Sequence, residues 1–336
     1  MQTTVRPSAG EGAIAVPQTQ AGAPESLKAR IRAVRWEAEG INTYELEPLP
    51  GERFPPFTAG AHINVRLTPG LTRSYSLAND PSQRDRYEIG VQLAPESRGG
   101  SRHIHENWRP GQVVEISAPR NNFPLEEGAT RTILIAGGIG ITPMLSMIAR
   151  LEALGRRWEL HYVSRRRAIA GYLDRLEEHL PANVLFDEEP GGLRLDLAAV
   201  VAAAPPEAHL YCCGPAGMIQ AFEALAAGRP PGTVHVEYFS ADVEVAIGGD
   251  YVLELRRSGK TVAVQDGETM LDALLSAGAN IGFACSEGVC GTCQVGVLEG
   301  VPDHRDQFLT EEEKRANRTV MVCCSGSRTP KLVLDI

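Results

Sequence analysis

Four cysteines near the C-terminal end constrain the fold of this chain more than any other feature. Cys285, Cys290 and Cys293 have the spacing C-x4-C-x2-C, and Cys323 follows after 29 intervening residues. This spacing is typical of the four thiolates that hold a plant-type 2Fe-2S cluster. Two glycines inside the run allow the loop to turn tightly enough for the thiolates to converge. The pattern therefore predicts a domain that binds a one-electron iron–sulfur cluster.

Other uses of the cysteines are less well supported. Zinc sites usually pair two C-x2-C knuckles, and the cysteine run holds only one. By spacing alone, Cys324 could replace Cys323 as the fourth ligand. Cys212 and Cys213 are more typical of buried apolar residues. Seven cysteines is an odd number, and their crowding toward one end argues against a disulfide framework.

Length and charge limit the remaining possibilities. A chain of 336 residues has room for two or three domains. Its formal net charge of -9 argues against nucleic-acid binding. The sequence shows neither an apolar run of membrane-spanning length nor an N-terminal signal pattern, so we expect a soluble cytoplasmic protein that does not bind membranes. The sequence leaves the oligomeric state open.

Hydrophobic periodicity divides the chain into segments. Between residues 27 and 126, short runs of alternating apolar residues between Pro and Gly turns favour an antiparallel β-barrel. Between 127 and 239, apolar strands alternate with helical stretches, which is typical of βαβ units on a parallel sheet. Residues 1–26 lack periodicity and are predicted to be a disordered tail. Residues 240–249 are predicted to be a linker, and 250–336 to form an α+β domain around the cysteine run.

A glycine-rich turn in the second segment predicts a phosphate site. In I-A-G-G-I-G-I-T-P-M, the glycines follow a buried strand and open a helix, where a pyrophosphate can approach the backbone. Such turns also select glycine for packing alone. A second turn, Y-C-C-G-P-A-G-M, follows a later strand at the edge where open parallel sheets bind ligands. Together the two turns imply a nicotinamide nucleotide.

Two motifs in the first segment are candidates for a second cofactor site. In T-R-S-Y-S-L, strand alternation places Arg73 and Tyr75 on one face. The segment R-G-G-S, from Arg98 to Ser101, precedes a predicted helix and is an anion-binding candidate. By chemistry alone, a cofactor site and an ordinary barrel rim remain equally open.

Taken in order, these motifs resemble the phthalate dioxygenase reductase family, which includes the vanillate demethylase reductases, over residues 28 to 336. The resemblance implies a multidomain chain. It would hold an antiparallel β-barrel flavin domain, an α/β parallel-sheet nucleotide domain and a ferredoxin-like domain of the β-grasp type. The implied cofactors are FMN, a 2Fe-2S cluster and NADPH or NADH.

The resemblance also implies roles for individual residues. The residues implied to line the ring and ribityl chain of FMN are Arg73, Ser74, Tyr75 and Ser76. Those implied to bind its phosphate are Arg98, Gly99, Gly100 and Ser101. Those implied to face the dinucleotide, with the last three near the nicotinamide, are Gly138, Gly140, Thr142, Pro143, Cys213, Gly214 and Pro215.

Three of the implied residues, Cys213, Thr142 and Phe239, are the catalytic candidates, since they would lie beside the reacting rings. Phe239 matches an aromatic residue that stacks on the flavin in the family, although it could instead be a core residue that closes the last strand. The family pattern V-C-x-S aligns with V-C-C-S here and so assigns Cys323 as the fourth cluster ligand.

One departure from the family bears on the choice of coenzyme. NADH-selective members tend to carry an acidic residue where this sequence reads S-R-R-R, after the strand W-E-L-H-Y-V. Ser164, Arg165 and Arg166 could bind the 2'-phosphate of NADPH, because guanidinium groups bind phosphate bidentately. The alternative is a solvated loop. We lean to NADPH as the coenzyme.

The function implied is that of an NAD(P)H-dependent reductase that gives single electrons to another protein. Our first hypothesis for the acceptor is the oxygenase of a Rieske-type ring-hydroxylating or demethylating system. A haem-thiolate monooxygenase is the second, because E-S-R-G-G-S-R-H-I-H-E and D-H-R-D also resemble reductase domains fused to such proteins. A third is an electron carrier or redox sensor whose nucleotide domain is inactive. The acceptor is expected to dock near residues 286–292.

Overall fold

The computed structural model describes residues 26–68, 71–94, 99–177, 182–239, 245–265, 267–283, 288–289 and 291–336, with only the backbone at 71 and 72. The predicted disordered tail, apart from Ser26, lies outside the described residues, as do half of the predicted linker and the site residues Arg98, Cys285 and Cys290. Within the described part, no helix is long and apolar enough to cross a membrane.

An antiparallel sheet makes up the first part of the chain. In the described residues it contains six strands in the order β4-β3-β6-β1-β2-β5. The strands are β1 Leu27–Ala38, β2 Ile41–Pro48, β3 His62–Thr68, β4 Leu71–Ser76, β5 Tyr87–Gln92 and β6 Val113–Ile116. Helix α1, Gly100–Asn107, lies between β5 and β6 in the chain. The inward-facing residues, among them Ile31, Ile63 and Ile89, form a fully buried core, as strand alternation predicts.

A five-stranded parallel sheet follows, again counting only described residues, in the order β11-β10-β7-β8-β9. Its strands are β7 Arg131–Gly137, β8 Arg157–Ser164, β9 Ala182–Phe186, β10 His209–Gly214 and β11 Val234–Tyr238. Its helices are α2 Ile141–Ala153, α3 Leu173–Glu177, α4 Leu197–Ala203 and α5 Ala216–Ala226. After β7 the chain adds β8 and β9 on one side of that strand, and β10 and β11 then form on its other side. Ligands bind such sheets at this switch point, beyond the carboxyl ends of the strands.

The C-terminal part is a mixed sheet with two short helices. In the described residues the strand order is β13-β12-β18-β14-β16, and a separate pair joins β15 to β17. The strands are β12 Val252–Leu255, β13 Lys260–Ala263, β14 Gln294–Glu299, β15 Pro302–Asp303, β16 Thr319–Met321, β17 Gly326–Ser327 and β18 Lys331–Leu334. The helices are α6 Met270–Ser276 and α7 Glu311–Ala316, and each begins with a capping box. The predicted multidomain fold class is confirmed.

The barrel and the nucleotide sheet pack closely on one another. Glu88 of β5 is 1% exposed and pairs with guanidinium groups of Arg35 and Arg86 from the barrel and of Arg175 from α3. Thr43 donates a hydrogen bond of 2.8 Å to the buried hydroxyl of Tyr172. A buried carboxylate shared by several arginines is costly to break, because removal of one partner leaves an unpaired charge. These contacts fix the flavin barrel against the nucleotide domain.

Candidate functional site

A cavity of about 620 Å³ lies where the three parts of the chain meet. The barrel contributes the face of β4, the nucleotide sheet contributes the end of β11 and one side of α5, and the C-terminal domain contributes Val289 and the segment from Gln307 to Glu311. A planar ligand in this cavity would therefore contact all three domains. The cavity brings together residues predicted from two motifs that lie far apart in the sequence: Arg73, Ser74, Tyr75, Ser76 and Phe239.

The barrel wall of the cavity fits a flavin with a phosphate. Burial raises the pKa of the Tyr75 hydroxyl, so Tyr75 presents a neutral aromatic ring. The side chain of Arg73 runs against Gly100, where a Cβ atom would come within 2.8 Å of Arg73 Nε. Gly99, which caps α1, has a φ of 91°, a backbone conformation that favours glycine. A cation is thus placed at the positive end of α1, as a phosphate site requires.

Other residues near α1 hold this wall in place. Ser101 Oγ accepts a hydrogen bond of 3.1 Å from the backbone N–H of Ala94. The Nε2 atom of His105 lies 3.0 Å from the carbonyl oxygen of Val91, and the ring makes an edge-to-face contact with Tyr44. These contacts anchor α1 to strand β5, so His105 is part of the scaffold.

The two glycine turns of the nucleotide domain lie against each other. A Cβ on Gly140 would fall 2.2 Å from the carbonyl oxygen of Cys213, and one on Gly137 would fall 2.6 Å from Pro215 Cδ. Gly138 has a φ of 54° and faces open space. Gly137 and Gly140 are therefore explained by packing, and Gly138 is the glycine that a ligand can approach. The turns after β7 and β10 form the crevice at the switch point of the sheet.

Thr142 and Cys213, two of the catalytic candidates, are buried beside this crevice. The Thr142 hydroxyl donates a hydrogen bond of 3.0 Å to the Ile139 carbonyl, and its methyl group contacts Gly90 of the barrel. Burial and the nearby carboxyl of Glu237 raise the pKa of the Cys213 thiol well above its usual value. Cys213 therefore stays a neutral thiol, and neither side chain lines the cavity.

Ser164, Arg165 and Arg166 lie at the carboxyl end of β8, away from the cavity. Arg165 Nε is 3.6 Å from Glu188 Oε1, and Arg166 Nη2 is 3.7 Å from Glu39 Oε2. Both arginines are more than half exposed, and such loose surface pairs contribute little energy. The two guanidinium groups can therefore turn toward a phosphate at little cost.

An acidic residue beside Ser164 was missed by the sequence analysis. Asp187 directly follows β9, and its backbone N–H donates to the Ser164 carbonyl at 3.2 Å. Its Oδ1 atom is buried and has no hydrogen-bond partner among the described residues. Because it follows a different strand, sequence proximity to S-R-R-R could not reveal it. An acidic residue at the carboxyl end of such a sheet can bind a ribose hydroxyl, which opposes the preference for NADPH.

Glu237 is a second residue that the sequence analysis missed. Its carboxyl lines the cavity and accepts a hydrogen bond of 3.4 Å from Ser76 Oγ. Burial raises the pKa of Glu237 to about 8, and the Ser76 hydrogen bond only partly offsets that rise. A carboxyl with such a pKa can hold a proton near neutral pH. The sequence did offer one sign of Glu237, because an acidic residue stands inside the apolar strand T-V-H-V-E-Y-F, where a buried charge is costly without a partner.

Replacement of Glu237 by glutamine should change how stability depends on pH. The folded protein keeps the Glu237 proton to about pH 8, whereas the unfolded chain releases it near the usual value of 4.5. Stability from the protonated carboxyl is therefore complete below about pH 4.5 and is lost as the pH rises toward 8. Glutamine does not titrate, so Glu237→Gln should gain stability over the parent by up to ~1.4 kcal/mol per pH unit in this range.

Thermal unfolding of the flavin-free protein, followed by circular dichroism at several pH values, measures this difference. Glu223→Gln is the matched control, because Glu223 is exposed on α5 and lines the same cavity. The control should track the parent at every pH. Parallel curves for Glu237→Gln and the parent would show that Glu237 is ionised in the fold.

The described part of the cysteine site contains two of the four proposed ligands and a turn with two glycines. Cys293 and Cys323 are each 2% exposed, and the Val322 N–H donates to the Cys293 carbonyl at 3.3 Å. Gly288 and Gly291 both have a φ of 72°, which side-chain-bearing residues rarely adopt. The sulfur of Cys324 packs beneath Gly288, where a Cβ would come within 2.5 Å of it. The buried thiolate-forming side chains and the tight turn fit an iron–sulfur cluster.

Comparison with known proteins supports this description. A family model of the 2Fe-2S iron–sulfur cluster binding domain matches residues 253–327. The chain is 49% identical to phenoxybenzoate dioxygenase subunit beta of Ectopseudomonas oleovorans over 94% of this chain and 98% of that protein.

Two solved structures extend the similarity to the whole fold. Phthalate dioxygenase reductase, described as a modular structure for electron transfer from pyridine nucleotides to 2Fe-2S, is 35% identical with a TM-score of 0.76 and covers 93% of this chain and 98% of its own. An intact type IV self-sufficient cytochrome P-450 monooxygenase is 36% identical with a TM-score of 0.78, over 93% of this chain and 41% of its own.

The chain is thus an oxidoreductase with a flavin, a pyridine nucleotide and a 2Fe-2S cluster as cofactors and a protein as electron acceptor. It belongs to the phthalate dioxygenase reductase family of NAD(P)H-dependent flavin and iron–sulfur reductases.

Proposed function

We propose that this chain is the reductase component of a Rieske-type ring-hydroxylating or demethylating oxygenase system. It passes electrons from NAD(P)H through FMN to its cluster and on to the oxygenase. The observation that carries the proposal is the shared cavity, because its walls come from the barrel, from the nucleotide sheet and from the cysteine loop. A flavin held there would be within reach of both its electron donor and its electron acceptor.

The name of one relative supports a Rieske-type dioxygenase as the acceptor. Phenoxybenzoate dioxygenase subunit beta matches this chain over 98% of its own length. A haem-thiolate monooxygenase is the second candidate, supported by the TM-score of 0.78 to the self-sufficient cytochrome P-450 monooxygenase. In that protein the similar region is 41% of a longer chain. The relative matched along nearly its whole length is the better guide, so we place the dioxygenase first.

FMN is the flavin we propose, and the barrel residues supply its site. The proposed phosphate ligands are Gly99, Gly100 and Ser101 at the N-terminal end of α1 and Arg98, which lies outside the described residues. Arg73, whose side chain lies against Gly100, would contact the ring and ribityl chain. Ser74, Tyr75 and Ser76 would line the ring and ribityl chain, and Phe239 would cover the ring from the nucleotide side. The flavin that is released when the protein is heated should have the same chromatographic retention as FMN.

The protein's own part in the reaction is to bind and orient its cofactors. When bound, FMN accepts two electrons with a hydride from the nicotinamide and releases them one at a time, which suits a cluster that takes one. Gly138 leaves space for the pyrophosphate, while Cys213, Gly214 and Pro215 are proposed to border the nicotinamide. Thr142 and Pro143 hold the start of α2 in the dinucleotide crevice. Glu237 holds a proton beside Ser76 in the flavin cavity.

The proposed cluster ligands are Cys285, Cys290, Cys293 and Cys323. The family pattern V-C-x-S selects Cys323 over Cys324. Cys324 packs beneath Gly288, where a Cβ atom would come within 2.5 Å of its sulfur. The proposed domains are the barrel at 27–126, the nucleotide domain at 127–239 and the ferredoxin domain at 250–336.

Replacement of Arg166 by aspartate tests the proposed preference for NADPH. If Arg166 binds the 2'-phosphate, loss of a charge-assisted hydrogen bond of about 1.5–3 kcal/mol should raise the KM for NADPH by roughly 10-fold or more. The KM for NADH should stay close to that of the parent. Steady-state reduction of ferricyanide with each coenzyme measures both values.

Arg167→Asp is the matched control for this test. Arg167 carries the same charge beside Arg166, and its guanidinium lies over the Phe186 ring, 5.1 Å from the ring centroid. An equal rise in both KM values for Arg166→Asp would mean that S-R-R-R is only a solvated loop.

Anaerobic reduction of the purified protein tests the proposed function as a whole. With NADH or NADPH added, flavin and cluster should both be reduced, as followed by absorbance and by electron paramagnetic resonance. A Rieske oxygenase should then be reduced faster than a haem-thiolate monooxygenase. Faster reduction of the haem protein would favour the second candidate. Failure of both coenzymes to reduce the flavin would favour an electron carrier or redox sensor.

A further inference from the structure

The aromatic side chain of Phe308 lies between the flavin cavity and the cysteine loop. Phe308 lines the cavity together with Tyr75 and Phe239. Its ring also packs on Gly291, where a Cβ atom would fall 2.3 Å from Phe308 Cζ. Gly291 lies between two proposed cluster ligands, Cys290 and Cys293. One side chain therefore touches both the space of the flavin and the loop of the cluster.

The position of Phe308 is fixed by its own backbone. The buried carboxylate of Asp306 accepts hydrogen bonds from the N–H groups of Phe308, at 3.2 Å, and of Leu309, at 2.7 Å. The adjacent Gln307 N–H donates to the Gly288 carbonyl at 3.0 Å. The segment that carries Phe308 is thus tied to the same loop on which the ring packs.

The exposure of Phe308 is unusual for a residue with so many local restraints. Its side chain is 41% exposed, and the exposed part faces the cavity. Aromatic side chains at a cavity wall are typical contacts for a bound ligand. A flavin that fills the cavity would cover this ring and exclude water from the space between itself and the cluster loop.

We propose that Phe308 is a positioning residue that sets the spacing between the flavin and the cluster and keeps that space dry. The inference rests on the proposed function. In that reaction NAD(P)H leaves as NAD(P)⁺ and a proton, and its two electrons cross the Phe308 contact singly. A cluster held by the four proposed thiolates would accept these electrons one at a time and pass each on to the protein acceptor.

Phe308→Ala should slow transfer from flavin to cluster much more than it slows flavin reduction by NAD(P)H. Removal of the ring frees the Gly291 turn, and electron transfer slows as the distance between donor and acceptor grows. We expect a severalfold decrease in the transfer rate, measured by rapid mixing of the holoprotein with NAD(P)H and freeze-quenched paramagnetic resonance of the cluster. The midpoint potential of the cluster should also shift, because water reaches the loop.

Phe308→Leu and Leu298→Ala complete the test. Leucine keeps most of the apolar volume and should recover most of the transfer rate. Leu298 is a 50% exposed residue of β14 outside the cavity lining, so its replacement should have no effect. If Phe308→Ala loses its iron, the rates of transfer from flavin to cluster in Phe308→Leu and Phe308→Tyr are compared instead. Rates that follow the volume of the side chain at 308 support the proposal, and rates that do not follow it contradict the proposal.

Two results would overturn the inference. One is a Phe308→Ala variant that keeps its iron and matches the parent in transfer rate and potential. The other is a Leu298→Ala variant that is slowed as much as Phe308→Ala. Neither result touches the proposed function, which fails only if the parent protein itself does not reduce its flavin and cluster with NAD(P)H.

Discussion

Cys293→Ser should remove the iron–sulfur cluster and stop electron transfer to a protein acceptor, while reduction of the flavin by NAD(P)H continues. The hydroxyl of serine is a poor ligand for this cluster, which is held by four thiolates. Replacement of residues that merely support metal ligands costs about 10–100-fold, so loss of a ligand should cost at least ~100-fold in transfer to the acceptor. Ferricyanide, which can take electrons from the flavin directly, should still be reduced within about twofold of the parent rate.

Absorbance in the visible region, iron content and the reduction of cytochrome c measure these outcomes. Cys324→Ser is the matched control, because the neighbouring thiol is buried and is proposed to be a core residue. The control should retain its iron. If Cys324→Ser loses the cluster and Cys323→Ser keeps it, the fourth ligand is Cys324. If Cys293→Ser also loses flavin reduction, the two redox modules are not separable.

Gly140→Ala should cause the largest loss on the nucleotide side. The new Cβ atom would lie 2.2 Å from the Cys213 carbonyl oxygen and 2.9 Å from the Gly214 nitrogen, and both are backbone atoms. The turn after β10 must therefore move, together with the residues proposed to border the nicotinamide. We expect flavin reduction by NAD(P)H to fall by up to ~100-fold. Overpacking should also lower the free energy of unfolding by about 1–3 kcal/mol.

Gly217→Ala provides the control for Gly140→Ala. Gly217 lies in the first turn of α5, and a Cβ there would meet open space. Alanine favours a helix over glycine by about 0.5–1 kcal/mol, so this variant should be as active as the parent and slightly more stable. Stopped-flow absorbance at the flavin band compares the two. Parent-like flavin reduction in Gly140→Ala would mean that the turn after β10 does not position the coenzyme.

The architecture was predictable because its signals are local. Strand alternation before residue 126, apolar strands between helices up to 239 and the spacing of the cysteines each depend on neighbouring residues. The capping boxes at Thr269 and Thr310 and the hairpin of β12 and β13 are equally local. For these features, tertiary packing reinforced what the sequence already favoured.

The site was only partly predictable, because its residues meet across domains. Ser76 and Glu237 are 161 positions apart, and only the packing of the barrel on the nucleotide sheet brings them within 3.4 Å. Phe308 gave no signal in the sequence beyond an apolar residue after D-H-R-D. Glycine motifs also carry two meanings. In G-G-I-G, Gly137 packs against side chains of the next turn, Gly140 packs against the backbone of Cys213, and Gly138 faces open space.

Gly90 has a consequence for any attempt to exchange modules between reductases of this type. A Cβ atom at Gly90 would fall 2.3 Å from the Tyr172 hydroxyl oxygen and 2.7 Å from the Thr142 methyl carbon. The barrel strand is therefore shaped to one particular nucleotide domain. A chimera that joins this barrel to another nucleotide domain must therefore keep side chains at positions 142 and 172 that fit against the backbone of Gly90.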